Sequence, residues 1–586
     1  MAIENLITDH LDLWTAAVRP KSSAGRGSNS KLELTGIKKL RELILELAVR
    51  GKLVPQDPCD EPASVLLERI AAEKRRLVKE GKIKKPKALP EISEEEQYFD
   101  LPSTWSWVRL NDIADYNGRP NIEPNNIKGD VWLLDLEDIE KDTSKLLYRA
   151  FYEERESKSN KSTFKCGDVL YGKLRPYLNK VIIADLDGVC TTEIVPIVPD
   201  NGLHPAYLKY LLKSPAFQRY VNSLMYGVKM PRLGTEDAIK SVHPLPPLAE
   251  QHRIVAKVDE LMALCDQLEQ RCESQLAAHQ TLVETLLATL TDCVDADELA
   301  QNWARLSTHF DTLFTTERSI DALKQTILQL AVMGKLVPQD LSDEPAIDLL
   351  NRLVSKRDEW LKKESKENSE AMTMLRKLKK LTVPTAPFEL PKAWACAHLI
   401  QLSQMLVDCH NKTAPYVEVG IPIIRTTNIR ERQFIDRDLK FVSKETYDYW
   451  SRRCPPEPGD IIFTREAPMG EALIIPAGET WCLGQRTMLI RPMHEFVSNK
   501  FLLLALTEPH LLERASEHAV GLTVKHLRVG DVENLSIPLP PLAEQHRIVA
   551  KVDELMALCD QLKSRLQTSQ QTQLALAESL VEGALA

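Results

Sequence analysis

The chain has 586 residues, several times the length of one ordinary domain, so more than one hydrophobic core is expected. Apolar residues at 43% and charged residues at 27% exclude wholesale disorder and a fibrous repeat. With 75 basic against 84 acidic side chains the net charge is -9, which excludes a uniformly basic nucleic-acid binder; any DNA contact must come from local patches.

Glu4, Asp9 and Asp12 interrupt the first apolar residues, which no secretory signal tolerates, and no run of about 18 apolar residues follows. A soluble, cytoplasmic protein is expected, with no membrane partner. Gly25-Arg26-Gly27 lies in the Ser-rich stretch Ser22 to Ser30, which reads as a linker rather than a phosphate cradle. Ile37, Leu40, Ile44 and Leu47 then fall at helical spacing. A GKLVPQD turn, a short helix near Glu61-Pro62-Ala63 and a lysine-rich tract from Lys74 to Lys87 follow. That tract could line a phosphate path or dock an acidic partner.

From about residue 96 to 243 the pattern changes. Short β-branched runs at Val169 to Tyr171, Val181 to Ala184 and Ile194 to Val198 are bounded by Gly, Pro and Asp, and a helical run closes the segment at Ala206 to Lys213. After Pro246-Pro247 the apolar residues Ile254, Val258, Leu261, Cys265 and Leu268 form an a/d seam that continues loosely through Cys272, Leu282 and Leu286. This predicts one helix of about 40 residues, or about 60 Å. A seam of that kind needs a partner, and the nearest candidate is its own copy.

The copy is present. Pro244 to Leu268 (PLPPLAEQHRIVAKVDELMALCDQL) recurs unchanged at Pro538 to Leu562, and its seam reads Ile548, Val552, Leu555, Cys559, Leu562 and Leu566. Leu47 to Asp57 returns as Leu330 to Asp340 with one change, and DEPA occurs at both Asp60 to Ala63 and Asp343 to Ala346. Ile320, Leu323, Ile327 and Leu330 repeat the first helix, and a second basic tract runs from Lys356 to Lys380. Between these anchors, Phe99-Asp100-Leu101-Pro102 with Trp105 is echoed by Phe388-Glu389-Leu390-Pro391 with Trp394. The second insert, about 386 to 537, has strand-like runs at Ile461 to Thr464, Leu473 to Ile475 and Met488 to Ile490 and a helical run at Lys500 to Thr507. Such a long period reports duplication of a whole domain with its connectors. The expected fold is α+β: two mixed inserts separated by two long helices packed as an antiparallel coiled coil, with an internal pseudo-twofold repeat.

The 11 cysteines contain no C-x-x-C pair, so neither a disulfide framework nor a zinc site is indicated, and Cys265 and Cys559 are expected to pack inside the coils. There is no G-x-x-x-x-G-K-[ST] loop, no H-E-x-x-H helix and no Gly-rich dinucleotide turn. Catalysis by this chain is therefore not expected, and neither a metal nor a cofactor of its own. A carboxylate cluster built from residues such as Glu137, Asp138 and Glu140 would be the alternative, a metal-dependent nuclease. A second alternative is a coiled-coil adaptor that reads no DNA.

The frame of two unlike inserts, each closed by PLPPLAEQHRIVAKVDEL and a long helix, resembles the specificity subunit of type I restriction-modification systems. Trp132 to Lys145, Gly167 to Val181, Ile421 to Ile429, Thr464 to Gly470 and Gly484 to Pro492 resemble segments of that family's target recognition domains. The helical arms exceed the compact form of the family and resemble its longer subclass. The resemblance implies a helical arm at 1–95, a first recognition domain at 96–243, a central helical region at 244–385, a second recognition domain at 386–537 and a closing coil helix at 538–586.

It also implies a DNA-reading subunit, non-catalytic by itself, of a complex with site-specific deoxyribonuclease and adenine-N6 methyltransferase activity. Partners would be double-stranded DNA, two modification subunits and two restriction subunits; S-adenosylmethionine, ATP and Mg2+ would belong to those subunits. Identical docking helices suit two copies of one partner, and unlike inserts suit an asymmetric, bipartite site whose halves lie about one helical turn apart. Because base edges are read by Arg, Lys, Asn and Gln, the DNA-binding candidates in the first insert are Lys173, Arg175, Tyr177, Asn179, Lys180, Lys229 and Arg232. In the second they are Arg425, Thr426, Asn428, Arg465, Glu466, Gln485, Arg486, Lys525 and His526. Coil packing and partner docking fall to Ile254, Val258, Leu261, Cys265 and Leu268 with Ile548, Val552, Leu555, Cys559 and Leu562.

Overall fold

The computed structural model describes residues 3–20, 32–81, 89–155, 159–225, 229–293, 296–517 and 526–585. The Ser22 to Ser30 stretch, Lys82 to Lys87 of the first basic tract, and Lys525 lie outside them. The chain divides into two units, 1–275 with 569–586, and 276–568.

In the first unit, helix α1 (Thr35–Val49) follows the predicted spacing and buries Ile37, Leu40, Ile44 and Leu47. Helix α2 (Ala63–Lys79) buries Ala63, Leu66 and Ile70. The insert begins with β1 (Ser106–Arg109) and continues through β2 (Ala114–Tyr116), β3 (Asn121–Ile122), β4 (Trp132–Leu134), β5 (Ala150–Phe151), β6 (Lys161–Phe164), β7 (Val169–Gly172), β8 (Val181–Ile183), β9 (Gly188–Cys190) and β10 (Ile194–Pro199). Strands order as β8-β7-β10-β2 in one sheet and β3-β6-β9-β4-β5 in another, with β9 and β4 parallel. The central β7 is buried along its length, as its unbroken apolar run requires. Helices α3 (Pro205–Lys213) and α4 (Pro215–Leu224) close the insert, and β11 (Val242–Leu245) pairs with β1. Pro244, the first proline of the PLPP run, thus sits in a strand opposite Trp107, and Pro246-Pro247 directly precede the long helix. A two-stranded ribbon has only edges, where proline is tolerated. Helix α5 (Leu248–Asp292) then begins; it enters the second unit at Leu276.

The second unit repeats this order. After α6 (Ala296–Thr308) come α7 (Glu317–Val332), α8 (Ala346–Glu364) and α9 (Ser369–Leu378). Its insert holds β12 (Ala395–His398), β13 (Ser403–Asp408), β14 (Ile421–Ile424), β15 (Lys440–Val442), β16 (Ile461–Thr464), β17 (Ala472–Ile474), β18 (Cys482–Leu483) and β19 (Thr487–Pro492). Helix α10 (Asn499–Leu506) and β20 (Ser536–Leu539) precede α11 (Leu542–Leu585). The sheet order β17-β16-β19-β13 matches β8-β7-β10-β2, and the parallel pair β18 and β14 matches β9 and β4. The two inserts share a frame although few of their residues agree.

The repeated sequence anchors, scattered along each half, meet at one node. In the first unit Trp105 Nε1 donates to Glu250 Oε2 at 2.8 Å, and Gln56 Nε2 donates to Glu250 Oε1 at 2.5 Å. Arg253 pairs with Asp60 at 2.6 Å, and the Ala63 N–H bonds to the Thr104 carbonyl. In the second unit Gln339 donates to Glu544 at 2.6 Å, Arg547 pairs with Asp343 at 2.7 Å, and Ala346 N–H bonds to the Ala393 carbonyl. Gln251 accepts from His204 N–H and donates to Pro246, while Gln545 accepts from Ser498 N–H and donates to Pro540. The AEQHR residues thus fasten each insert to its helix. Burial raises the carboxyl pKa of both Glu250 and Glu544.

The GK of the repeated turn is a helix cap. Gly51 at φ +68° and Gly334 at φ +73° take the left-handed turn after α1 and α7, with Lys52 N–H bonded to Leu47 O and Lys335 N–H to Leu330 O. The lysines reach a second helix end: Lys335 Nζ donates to Thr291 O and Cys293 O at the end of α5, and Lys52 Nζ to Leu585 O at the end of α11. Cations there suit the negative pole of the helix dipole.

The seam residues Ile254, Val258, Leu261, Cys265, Ile548, Val552 and Cys559 are buried, and Leu268, Leu555 and Leu562 are partly so. In the second unit the α11 seam packs with Ile320, Leu323 and Ile327 of α7 and with Val283, Leu287 and Leu290 of α5. A third, short helix therefore shares the seam with the long one. Lys324 to Asp560 (2.5 Å) and Lys563 to Asp321 (3.2 Å) flank it, as Arg41 to Asp266 (2.6 Å) and Glu269 (2.9 Å) do in the first unit. In the second unit the chain itself thus packs against the apolar seam of α11.

Candidate nucleic-acid interface

At the end of the central strand of each insert the backbone forms the same clamp. Beyond β7, Lys173 N–H donates to Glu193 O at 3.0 Å and Lys173 O accepts from Leu233 N–H at 3.0 Å. Beyond β16, Arg465 N–H donates to Arg486 O at 2.9 Å and Arg465 O accepts from Leu527 N–H at 3.0 Å. Leu174 bridges Arg232 in the first clamp, and Glu466 bridges His526 in the second. Three loops distant in sequence are thereby joined in each insert, and most of the predicted candidates fall on them.

In the first insert Lys173 is half-buried, while Arg175, Tyr177 and Lys229 are exposed. Arg175 N–H bonds to Pro231 O at 2.8 Å, which ties the 173–180 loop to the 229–233 segment. Arg175 and Asn179 both take left-handed backbone, at φ 51° and 53°. Such strain is held only by a surrounding structure that over-determines it. Arg232 makes a two-point ion pair with Glu193.

Two candidates here are structural. Lys180 Nζ donates to Leu136 O at 2.7 Å, and burial lowers its pKa. Asn179 donates to Lys213 O, accepts from Gln218, and its carbonyl accepts from Ser144 Oγ at 2.9 Å. That network rests on Lys213, whose ammonium donates to Asp142 O at 2.7 Å and Ser144 Oγ at 2.6 Å. Burial, with the nearby charge of Lys209, brings the Lys213 pKa down to about 7. Lys213 thus holds the 140–145 loop against the loop that presents Arg175 and Tyr177.

In the second insert Arg465 is nearly covered, giving hydrogen bonds to Asp408 Oδ1 at 2.7 Å and Leu527 O at 3.1 Å. Arg486 is exposed, takes φ 68°, and pairs with Glu466 at 2.7 Å. Gln485 contacts Asn411 O and Thr413 Oγ1, and His526 is half-buried beside Glu466. The Ile421 to Ile429 candidates make their hydrogen bonds within the 425–438 segment. Asn428 is wholly buried: its Oδ1 accepts from Arg425 N–H and its Nδ2 donates to Ile435 O and Arg437 O. Arg425 is spent on Asp438, and Thr426 lends its carbonyl to Arg430. Asp138 holds the equivalent turn in the first insert, buried, with Arg155 at 2.7 Å. It is therefore not part of a free carboxylate cluster, and among the described residues no group of three or more His, Cys, Asp or Glu is placed to hold a metal. Among the described residues no helix is long and apolar enough to cross a membrane.

The basic tracts are also partly structural. Lys74 is paired with Asp200 at 2.7 Å and donates to Asn111 O, and Arg357 is buried against Gln401 O and Asp358. Sequence reasoning missed Glu193, and missed Asn411 and Thr413, which the hydrogen bonds to Gln485 bring to the second clamp. The signal available was the Cys409 to Thr413 run of polar residues directly after a strand.

Comparison with known proteins agrees with this frame. A model described as the type I restriction modification DNA specificity domain matches residues 102–278 and 409–569. The chain is 41% identical over 601 residues to the type I restriction enzyme EcoAI specificity subunit of Escherichia coli, covering 100% of both chains. It is 40% identical over 608 residues to the EcoEI specificity subunit of the same organism, again covering 100% of both. A solved chain, described as bearing on complex assembly and conformational transition of the type I R-M system, shares the fold with a TM-score of 0.50 at 20% identity, covering 83% of this chain and 99% of that one. With both inserts matched and the whole length aligned, the chain belongs to the family of type I restriction enzyme specificity subunits.

Proposed function

We propose that this chain is the DNA-reading subunit of a type I restriction-modification complex, non-catalytic by itself. It takes an asymmetric, bipartite site in double-stranded DNA, one half per insert, and carries modification and restriction subunits on its helical frame. The observation that supports this best is the pair of equivalent clamps with unlike side chains: Lys173, Arg175 and Arg232 in one, Arg465, Glu466, Gln485, Arg486 and His526 in the other. One backbone frame presenting two different sets of polar groups suits two different sequences. The inserts are proposed as 96–243 and 386–537. Two modification subunits on the outer faces of the duplicated helices would supply adenine-N6 methylation with S-adenosylmethionine, and two restriction subunits ATP- and Mg2+-dependent cleavage.

Mapping methylated adenines in cells carrying the complete system tests the reading. Exchange of 96–243 for the corresponding insert of a relative should change one half of the methylated sequence and leave the other. A change in both halves, or in neither, would overturn it.

A further inference from the structure

Each clamp carries an exposed ion pair. Arg232 donates from Nε to Glu193 Oε2 at 3.0 Å and from Nη2 to Oε1 at 3.1 Å. Arg486 Nε lies 2.7 Å from Glu466 Oε2. The pairs are assembled from different positions of the shared frame. Glu193 and Arg486 are equivalents, because each carbonyl receives the N–H of the first residue beyond the central strand. Arg232 corresponds to His526, and Leu174 to Glu466. So the arginine and the carboxylate come from different loops in the two inserts, yet each pair lies on the clamp.

The fold does not require this. The arginine side chains are 53% and 61% exposed, and exposed ion pairs contribute little to stability. What the carboxylate does fix is the direction of the guanidinium. Arg232 is held side-on through Nε and one Nη2 hydrogen, and Arg486 lies against its carboxylate through Nε; in both, Nη1 and a remaining Nη2 hydrogen are left able to donate from the terminal edge. That edge has the fork spacing that matches O6 and N7 of guanine in the major groove. The exposed arginines thus differ from Arg465, whose Nη1 and Nη2 are spent on Leu527 and Asp408, and from Arg425, whose Nη2 is spent on Asp438.

Resting on the reading of the chain as a DNA-reading subunit, we infer that Arg232 with Glu193, and Arg486 with Glu466, are specificity-determining residues of the two inserts. Each arginine donates to O6 and N7 of one guanine in its half of the site, and its glutamate holds the guanidinium in that orientation.

The test uses the chain assembled with its modification subunits and reads the methylated sequence. Glu193→Gln and Arg232→Lys should each relax one guanine position of one half, lowering the preference for guanine about tenfold or more. The other half should stay as in the parent. Glu466→Gln and Arg486→Lys should do the same in the opposite half. Lysine keeps the charge, so a pair that touches only phosphate would lower methylation of all sequences alike or leave it unchanged. Either result, with melting temperatures as in the parent, overturns the assignment. A parent complex with no sequence preference would instead overturn the functional reading and the assignment with it.

Discussion

Trp105 gives its indole N–H to Glu250 across 2.8 Å, joining the residue that opens the first insert to the helix that closes it. Glu250 is wholly buried, and the bond stands beside the one from Gln56. Trp105→Phe keeps an aromatic ring but removes the indole N–H, leaving a buried carboxylate oxygen without its donor and a small cavity beside it. The variant should lose about 1–3 kcal/mol of stability, seen as a lower urea midpoint. An unchanged midpoint would show that the bond does not hold the insert.

Lys213 gives a pH signature. Its folded pKa is about 7 against an ordinary 10.5, so over that interval unfolding takes up a proton and stability rises with pH. Below about 7 both states are protonated and the burial penalty is fully expressed. Lys213→Met should flatten the difference in melting temperature between about pH 7 and 10 relative to the parent. A parallel pair of curves would argue against a buried, readily deprotonated lysine.

Gly51 and Gly334 should resist substitution equally. Besides the left-handed backbone, an added Cβ would lie 2.5 Å from Pro102 and 2.6 Å from Pro391. Alanine at either position should cost about 1–3 kcal/mol, measured by calorimetric melting. Gly81, with φ +68° but open space around it, should cost less.

Arg175 and Lys229 are exposed beside the first clamp. If they meet phosphates, alanine at each should weaken DNA binding by the assembled complex for all sequences and lower the slope of log affinity against log salt by about 1 per residue. Asn428→Ala, by contrast, should act through stability, costing about 1–3 kcal/mol with no change in the sequence preference of folded complex. A salt titration and a melting curve separate the two classes.

The helices and the duplication were legible because periodicity and exact repetition depend on local sequence alone. Ile37 to Leu47, Ile320 to Leu330 and the two seams appear where their spacing puts them. Side-chain roles in the inserts were less legible. Asn428 looks like a reader in sequence and Asp138 like a member of a carboxylate cluster, yet both fill the inside of a tight turn, a use that only backbone geometry reveals. Glu193 and Arg232 are 39 positions apart, and nothing local announces that a clamp will bring them together. Lys74 reads as part of a basic run until Asp200 arrives from the far side of the insert.

One feature of the first unit bears on how the protein is made. Its helix α1 and the turn after it are met by Lys39 to Glu578 at 3.3 Å and Lys52 to Leu585 O at 3.0 Å, and Leu574 and Ala577 are buried. A ribosome that has released residues 1–275 has therefore not yet delivered all of that unit. Its final packing must wait until residues 569–585 have been made, so a nascent chain stalled before residue 569 would lack the ion pair of Lys39 and the helix-end bond of Lys52.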